Sequence, residues 1–200
     1  MPHVEFGMRQ YSEGSSTFMR ITTSRCRTFD YTVTRPSPCA VGLGAVQLGS
    51  TYRFSDCLVA TIEMEHGDRV LGSAVARAIR RIATHSDAAM IVIDGYLRPP
   101  SMRERESQGA DLLTDLADAL DLLTDINAQL SRGNDDVHVM PFGWHIRARA
   151  DVLSGAFGQR SIQLGGGDPM VAGQVVAVLN IPAAQRFWEG SPTSAAPVGA

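Results

Sequence analysis

Lysine is missing from this chain of 200 residues, and all 18 of its basic residues are arginine. Without a lysine amine, chemistry that passes through a Schiff base on the protein is excluded. The formal net charge of -3 argues against a protein that coats nucleic acid through charge alone, although it is compatible with a local basic patch. Charge therefore narrows the classes of function without choosing one.

Cysteine pairs, long apolar runs and glycine motifs are also scarce or absent. Cys26, Cys39 and Cys57 lack CxxC spacing and nearby histidine pairs, so we expect neither a disulfide framework nor a metal site. The sequence has no run of about 20 apolar residues, and residues 1–16 lack the apolar part of a secretory signal. The glycines form neither a phosphate-binding loop nor a dinucleotide loop, which predicts no cofactor. We expect a cytoplasmic protein with no membrane partner.

What the sequence does contain is the alternation of strand and helix patterns typical of an α/β fold with a parallel β-α-β core. We expect one domain at residues 18–164, between an N-terminal extension at 1–17 and a C-terminal extension at 165–200 with one further strand and a loose tail. The predicted elements are a β-hairpin over 20–34 that turns at 25–27, a strand over 57–65, a helix over 69–85, a buried strand over 89–93 followed by a loop, a long helix over 106–130, strands over 137–140 and 144–153, and a strand over 174–181.

The long helix is expected to bury a single leucine stripe and to expose an acidic face that would repel a polyanion. The stripe comprises Leu112, Leu116, Leu120, Leu123 and Leu130, and the acidic face comprises Asp111, Asp115, Asp118 and Asp125.

Two groups of polar residues are candidates for ligand binding. Asp94 and Gly95 follow the buried strand, where α/β proteins place ligand-binding groups, although an Asp-Gly pair also makes a tight turn. His145 alternates with Arg147 and Arg149, which predicts a basic row on one strand face that suits phosphate. Three arginines after the buried strand would add to this row as phosphate contacts if their segment meets it in space; they are Arg98, Arg103 and Arg105. No role is assigned to the other four histidines, His3, His66, His85 and His138.

The run Met140-Pro141-Phe142-Gly143-Trp144, which leads into an alternating strand, resembles the N-terminal editing domain of archaeal threonyl-tRNA synthetases. The order of predicted elements agrees with that family over roughly residues 18–164. The resemblance implies a fold similar to D-aminoacyl-tRNA deacylases, with a mixed β-sheet and two main helices, usually as a homodimer. It also implies hydrolysis of the ester of a mischarged tRNA, serine on threonine tRNA, by a positioned water.

The resemblance further implies where the 3′ end of aminoacyl-tRNA binds, largely through backbone groups. The matching positions lie at the end of one strand, after the buried strand and in the Pro-Phe-Gly run. They are Met64, Glu65, Asp94, Gly95, Tyr96, Leu97, Arg98, Phe142, Gly143 and Trp144.

The side chains that matter in that family are replaced here. The position of its histidine falls near Leu97, its second tyrosine at His145, and its glutamate near Gln159. Its lysine falls at Ile146, or at Arg147 with a one-residue shift, and arginine does not release a proton near neutral pH as lysine sometimes does. The candidate catalytic residues are therefore His145, Arg147 and Gln159, with backbone N–H groups stabilising the oxyanion.

Two functions of different classes follow from these departures. One is a free-standing deacylase whose amino-acid specificity has changed, because a few pocket contacts are enough to alter which side chain is accepted. The other is a catalytically inactive module that binds aminoacyl-tRNA, a related ligand or a protein partner. An unrelated small-molecule role on the same fold also stays open, since a fold does not dictate its chemistry.

Overall fold

The computed structural model describes residues 18–41, 48–65, 67–98, 112–155, 157–165 and 175–180, the last range and Phe18 by their backbone alone. Several sequence predictions fall outside these residues. They are the N-terminal extension, Arg103 and Arg105, the start of the long helix at 106–111, and the loose tail.

Seven strands and two α-helices form the described part of the chain, and a short 3-10 helix precedes the first α-helix. In chain order they are β1 (Phe18–Pro36), β2 (Thr51–Met64), the 3-10 helix (Asp68–Leu71), α1 (Gly72–His85), β3 (Met90–Leu97), α2 (Leu112–Arg132), β4 (Val137–Val139), β5 (Trp144–Val152), β6 (Gln159–Gly165) and β7 (Val175–Asn180).

All seven strands belong to one mixed sheet in the order β4-β3-β2-β1-β6-β7, with β5 also paired to β1. Strands β2, β3 and β4 run parallel, and α1 and α2 are the crossovers that join them, because parallel neighbours need a long connection. The remaining pairs are antiparallel. The prediction of an α/β fold with a mixed sheet, a β-α-β core and two helices is confirmed.

The predicted hairpin over 20–34 is wrong, because these residues form part of a single strand. The run 25–27 was expected to turn because it is polar, but the side chain of Arg25 is buried and held in place. Its guanidinium donates to the carbonyl oxygens of Ser86 at 3.0 Å and Asp87 at 2.8 Å, just after α1, and pairs with Asp56. A buried arginine satisfied in this way lets the strand continue through a charged position.

The helices cover one face of the sheet and form the first core with it. Val75 and Ile79 of α1 and Leu122 and Ile126 of α2 pack against the side chains of β2 and β3 that point the same way. The predicted leucine stripe of α2 is correct only in part, since Leu123 and Leu130 are buried, Leu116 and Leu120 are partly buried, and Leu112 is exposed. None of the helices in the described ranges is long and apolar enough to span a bilayer.

The two longest strands bend at the same level. Asp56 of β2 takes the left-handed φ of 54°, and the pairing of β1 with β5 shifts between Cys26 and Thr28. Met19 and Ile21 face the helices before this bend, whereas Phe29 and Tyr31 beyond it pack in a second core on the opposite face. We refer to the part beyond the bend as the arm; it consists of residues 28–36, residues 51–55 and strand β5.

The arm closes over the sheet face that the helices leave free. Its inner side carries alternate residues of β5 together with aromatic residues of β1 and β2, and these pack with Val59, Val92 and Met140. The structure also extends β3 beyond the predicted strand. Asp94 to Leu97 were expected in a loop but continue the strand, because they pair with Thr61 to Met64 of β2.

Candidate functional site

The carboxyl ends of β2 and β3 bring together two of the segments predicted to bind substrate, and β4, beside β3, leads into the third. Residues at 61–64 of β2 pair with those at 94–97 of β3, and the Met140 N–H donates to the Ile93 carbonyl oxygen at 2.8 Å. Beyond the strand ends, Arg98 pairs with Glu65 at 2.5 Å, and its N–H donates to the Met64 carbonyl oxygen at 2.9 Å. Parallel strands in α/β folds commonly place binding groups at this edge.

The Pro-Phe-Gly turn is fixed in position by its neighbours at the start of the 37–50 connection. Phe142 is buried in the first core, while the Trp144 indole donates to the Val41 carbonyl oxygen at 3.1 Å. Gly143 accepts a hydrogen bond from the Ser37 N–H at 3.0 Å with a φ of 76°. A side chain there would collide with the Cys39 carbonyl, so this position requires glycine.

Gly95 was expected in a binding loop, but it lies in β3, where the absence of a side chain lets α2 pack closely against the strand. A Cβ atom at this position would lie 2.8 Å from the Leu123 methyl groups and 3.0 Å from the Met64 methyl group. Gly95 and Leu97 therefore face the helices, and Asp94 and Tyr96 face the opposite side, because side chains alternate along a strand.

The side of β6, β1, β2 and β3 that faces away from the helices is a polar face. Directly paired residues on neighbouring strands share a face, so the register places its side chains in three rows. The first row holds Gln163, Arg20, Glu63 and Tyr96; the second holds Ser161, Thr22, Thr61 and Asp94; the third holds Gln159, Ser24, Val59 and Val92.

Hydrogen bonds connect the first and third rows internally. Arg20 pairs with Glu63 at 3.5 Å, and Glu63 accepts from the Tyr96 hydroxyl. Burial, followed by the charge and hydrogen bond of Glu63, raises the pKa of Tyr96 to about 12. In the third row the Gln159 amide donates to the Ser24 hydroxyl oxygen at 3.2 Å.

The Asp94 carboxyl in the second row is different. The residue is partly accessible, but burial of its carboxyl raises the pKa to about 6. No hydrogen bond or ion pair joins it to the residues that the structure describes. Its negative charge in turn raises the pKa values of Tyr31 and Tyr96, which places both phenols near it. Asp94 is thus a desolvated acid without a cationic partner in the described chain.

Sequence reasoning missed an aromatic cluster beside Asp94. The Tyr31 hydroxyl lies 2.8 Å from Nε2 of His138, and the Tyr31 ring stacks on Tyr52 with centroids 4.9 Å apart. The ring centroids of Phe54 and His138 are 4.7 Å apart. Burial lowers the pKa of His138 and raises that of Tyr31, so both are neutral at neutral pH. The only signal for His138 was its place between two valines of a short strand.

The candidate catalytic residues do not come together. His145 and Arg147 are exposed on the outer side of the arm, whereas Gln159 is buried on the polar face. His145 pairs with Arg35 beyond the bend of β1, whereas Gln159 pairs with Ser24, eleven residues earlier and before the bend. His145 and Gln159 are therefore not placed to hold the same water molecule.

The predicted basic row is exposed, as its alternation indicated. His145, Arg147 and Arg149 alternate with inward-facing residues of β5, and Asp30 of β1 lies between Arg149 and Arg53 of β2. Arg98 instead pairs with Glu65 at the carboxyl ends of the strands. The arm therefore presents four outward arginines, from β1, β2 and β5, in a largely polar surface.

No group of three histidine, cysteine, aspartate or glutamate residues in the described ranges is arranged to hold a metal ion. No protein-family model matches the chain, and a search of curated proteins also finds no match. The geometry of the strand ends, the polar face and the arm is therefore the basis for assigning a function.

Proposed function

We propose that this chain is a free-standing aminoacyl-tRNA deacylase of the trans-editing type, with a fold similar to D-aminoacyl-tRNA deacylases and an altered amino-acid specificity. The observation that carries the proposal lies at one sheet edge, where Met64 pairs with Leu97 at the ends of β2 and β3 and Met140, two residues before Phe142, bonds to Ile93. These residues lie in or beside the segments that the resemblance to editing domains assigns to the aminoacyl-adenosine end. Their closeness in space is what such a site requires.

In the proposed reaction a water oxygen attacks the ester carbonyl, and the bond from that carbon to the ribose oxygen breaks. One proton of the water passes to the ribose oxygen, the other passes to solvent, and the amino acid leaves as its carboxylate. Backbone N–H groups stabilise the negative oxygen of the intermediate. His145 is the better candidate to orient the water, because it lies two residues beyond Gly143, whereas the Gln159 amide is already bonded to Ser24. Arg147 on the arm contacts phosphate.

A second function is favoured by one specific observation. His145 and Gln159 are separated, and the chain has no lysine to replace the family's lysine, so the side chains that would drive hydrolysis are not assembled in one cluster. A binding module that holds the aminoacyl-tRNA 3′ end, or a related ligand or protein partner, without cleaving it is the alternative. Both functions use the same edge of the sheet.

The test is release of labelled amino acid from threonine tRNA charged with serine, threonine and related amino acids. We expect the unaltered chain to release at least one of them, and His145→Ala to lower kcat by roughly 100-fold, the range of a lost acid-base or water-orienting group. Arg147→Ala should raise KM with little change in kcat, because it removes a phosphate contact. Arg132→Ala, at an exposed arginine at the end of α2, is the matched control and should behave as the unaltered chain.

Each other outcome assigns a different function. Turnover that survives His145→Ala would point to catalysis by the backbone and by the substrate's own hydroxyl. Binding of the tRNA without release of any amino acid would reject the enzyme and leave the binding module. A chain that neither binds the tRNA nor releases an amino acid would exclude tRNA as its ligand. We further propose a cytoplasmic homodimer, for which a sedimentation mass near the 21.5 kDa of one chain would be the contradicting result.

A further inference from the structure

The second row of the polar face contains a carboxylate and hydroxyl groups with no partners in the described chain. Asp94 and Thr61 are direct neighbours on β3 and β2, and Thr22 continues the row on β1. Strands in a sheet are about 4.8 Å apart, so a small group above the row reaches both Asp94 and Thr61. No hydrogen bond joins the Thr61 or Thr22 hydroxyl to the part of the chain that the structure describes.

The other charged side chains of this face are already paired. Glu63 is bound by Arg20 and by the Tyr96 hydroxyl, and the Tyr31 hydroxyl is bound to His138. Asp94 is left as an acceptor for a positive charge from outside the described chain. Its surroundings also suit such a charge, because aromatic rings attract cations and a desolvated carboxylate binds a cation more strongly than one in water.

We propose that Asp94 and Thr61 form a binding site for a primary ammonium group, and that on the proposed substrate this group is the α-ammonium of the esterified amino acid. An ammonium has three donors and no acceptor, and the row supplies a free carboxylate, which only accepts, beside hydroxyl oxygens that accept as well as donate. Asp94 lies between Val92 and Arg98 in the chain. It therefore belongs to the carboxyl end of β3, which the proposed function assigns to substrate. The identification of the ammonium as that of an amino acid rests on the proposed function.

The site gives the protein a way to require a free amino group. A ligand whose nitrogen is acetylated has no positive charge and has one donor instead of three, so it leaves the Asp94 carboxylate without its ion pair. The deacylase would then spare N-blocked aminoacyl-tRNA and peptidyl-tRNA. Discrimination of this kind depends on the unpaired carboxylate and not on the side chain of the amino acid.

The test is equilibrium binding of two probes to the full chain, measured by calorimetry at pH 7.5. One probe is a 3′-serylamino-3′-deoxyadenosine, in which an amide replaces the labile ester, and the other is its N-acetyl form. We expect the unaltered chain to bind the free amine at least about tenfold more tightly, as befits a hydrogen bond to a charged group. Asp94→Asn should bind the two probes equally, and Thr61→Val should reduce the preference by about threefold.

Asp151→Asn is the matched control, because Asp151 is an exposed acid that pairs with Arg27 on the far side of β5. Its preference for the free amine should be unchanged, and thermal unfolding of each variant establishes that it is folded. A preference that survives Asp94→Asn, or a chain that binds neither probe, would overturn the ammonium site.

The same probes separate this inference from the proposed function. An Asp94-dependent preference in a chain that releases no amino acid would keep the ammonium site and reject the deacylase. Equal hydrolysis of seryl-tRNA and N-acetylseryl-tRNA would keep the deacylase and reject the ammonium site.

Discussion

Single residues in this protein carry charge in places where burial makes it costly. Arg25 is matched by carbonyl oxygens and by Asp56, so its charge is compensated within the fold. Asp94 is not matched in the described chain, and Asp68, whose carboxylate accepts from the Glu65 N–H at 2.7 Å, still has a pKa raised by burial to about 6. Buried acids with raised pKa values are retained at the expense of stability, which is common at functional sites.

Asp94→Asn is expected to stabilise the fold by about 2 to 3 kcal/mol at pH 7.5, and by less than about 1 kcal/mol near pH 4. The folded pKa of Asp94, about 6, lies above its unfolded value. The stability that this group contributes is therefore complete below the unfolded pKa and is lost as the pH rises through about 6. The measurement is urea unfolding of both proteins between pH 4 and 8, in which Asp68 contributes equally to each.

Asp151→Asn again serves as the control and should change the free energy of unfolding by less than about 0.5 kcal/mol, because Asp151 is an exposed partner of Arg27. A destabilised Asp94→Asn protein at pH 7.5 would mean that the carboxylate has a cationic partner in the folded chain, and the ammonium site would lose its basis.

At the scale of helices and strands, hydrophobic periodicity predicted the type of each element better than its first and last residues. The two helices, the buried strand and the strand at 144–153 were found, because each has an apolar pattern that local geometry enforces. The hairpin failed at Arg25, whose acceptors lie after α1 and are invisible to a local pattern. The leucine stripe was placed too early on α2 because the buried side is decided by where the helix crosses the sheet.

For the candidate site, too, the sequence predicted some features and missed others. The resemblance to editing domains implied that residues 64–65, 94–98 and 142–144 share one site, and the first two segments do pair at the ends of β2 and β3. Alternation also gave the exposed row of His145 and Arg147. The separation of His145 from Gln159 was not predictable, because it depends on β5 and β6 pairing with different halves of β1. The Tyr31 and His138 contact depends on the bend of the arm, which no sequence pattern marked.

Two leucines of α2 provide a matched test of which side of this helix is buried. Leu122 is 1% exposed and lies outside the predicted stripe, whereas Leu112 is 57% exposed and lies within it. We expect Leu122→Ala to cost about 3 kcal/mol of unfolding free energy and Leu112→Ala less than about 0.5 kcal/mol. Denaturant unfolding of the two variants checks this, and equal losses would show that α2 is rotated about its axis.

On the scale of the whole molecule, burial separates two of the three cysteines from the third. Cys26 and Cys57 are directly paired across β1 and β2, with no exposed surface, in the second core under the arm, whereas Cys39 is partly accessible near the Pro-Phe-Gly turn. Their mutual hydrogen bond, followed by burial, raises the pKa of the Cys26 thiol, and the same hydrogen bond lowers the pKa of Cys57. Burial is therefore what keeps a reagent from both thiols.

We therefore expect one thiol to react with an aromatic disulfide reagent in the native protein, and the other two only when the molecule unfolds. Cys39→Ser should abolish the fast reaction and leave the slow one at the rate of unfolding in denaturant. Fast reaction of two or three thiols would show that the arm opens away from the sheet under native conditions.

Strand β1 also has a consequence for how the chain reaches its fold during synthesis. Every partner of β1 in β5 and β6 is more than 100 residues later in the chain, while among the described strands β2 is its only early neighbour. On the ribosome, the long β1–β2 pair must therefore wait with one edge uncovered until the last third of the protein emerges. Such long-range pairing closes slowly and leaves a strand edge open to other chains. Nascent chains that stop before β5 should thus depend on chaperones and aggregate when these are depleted.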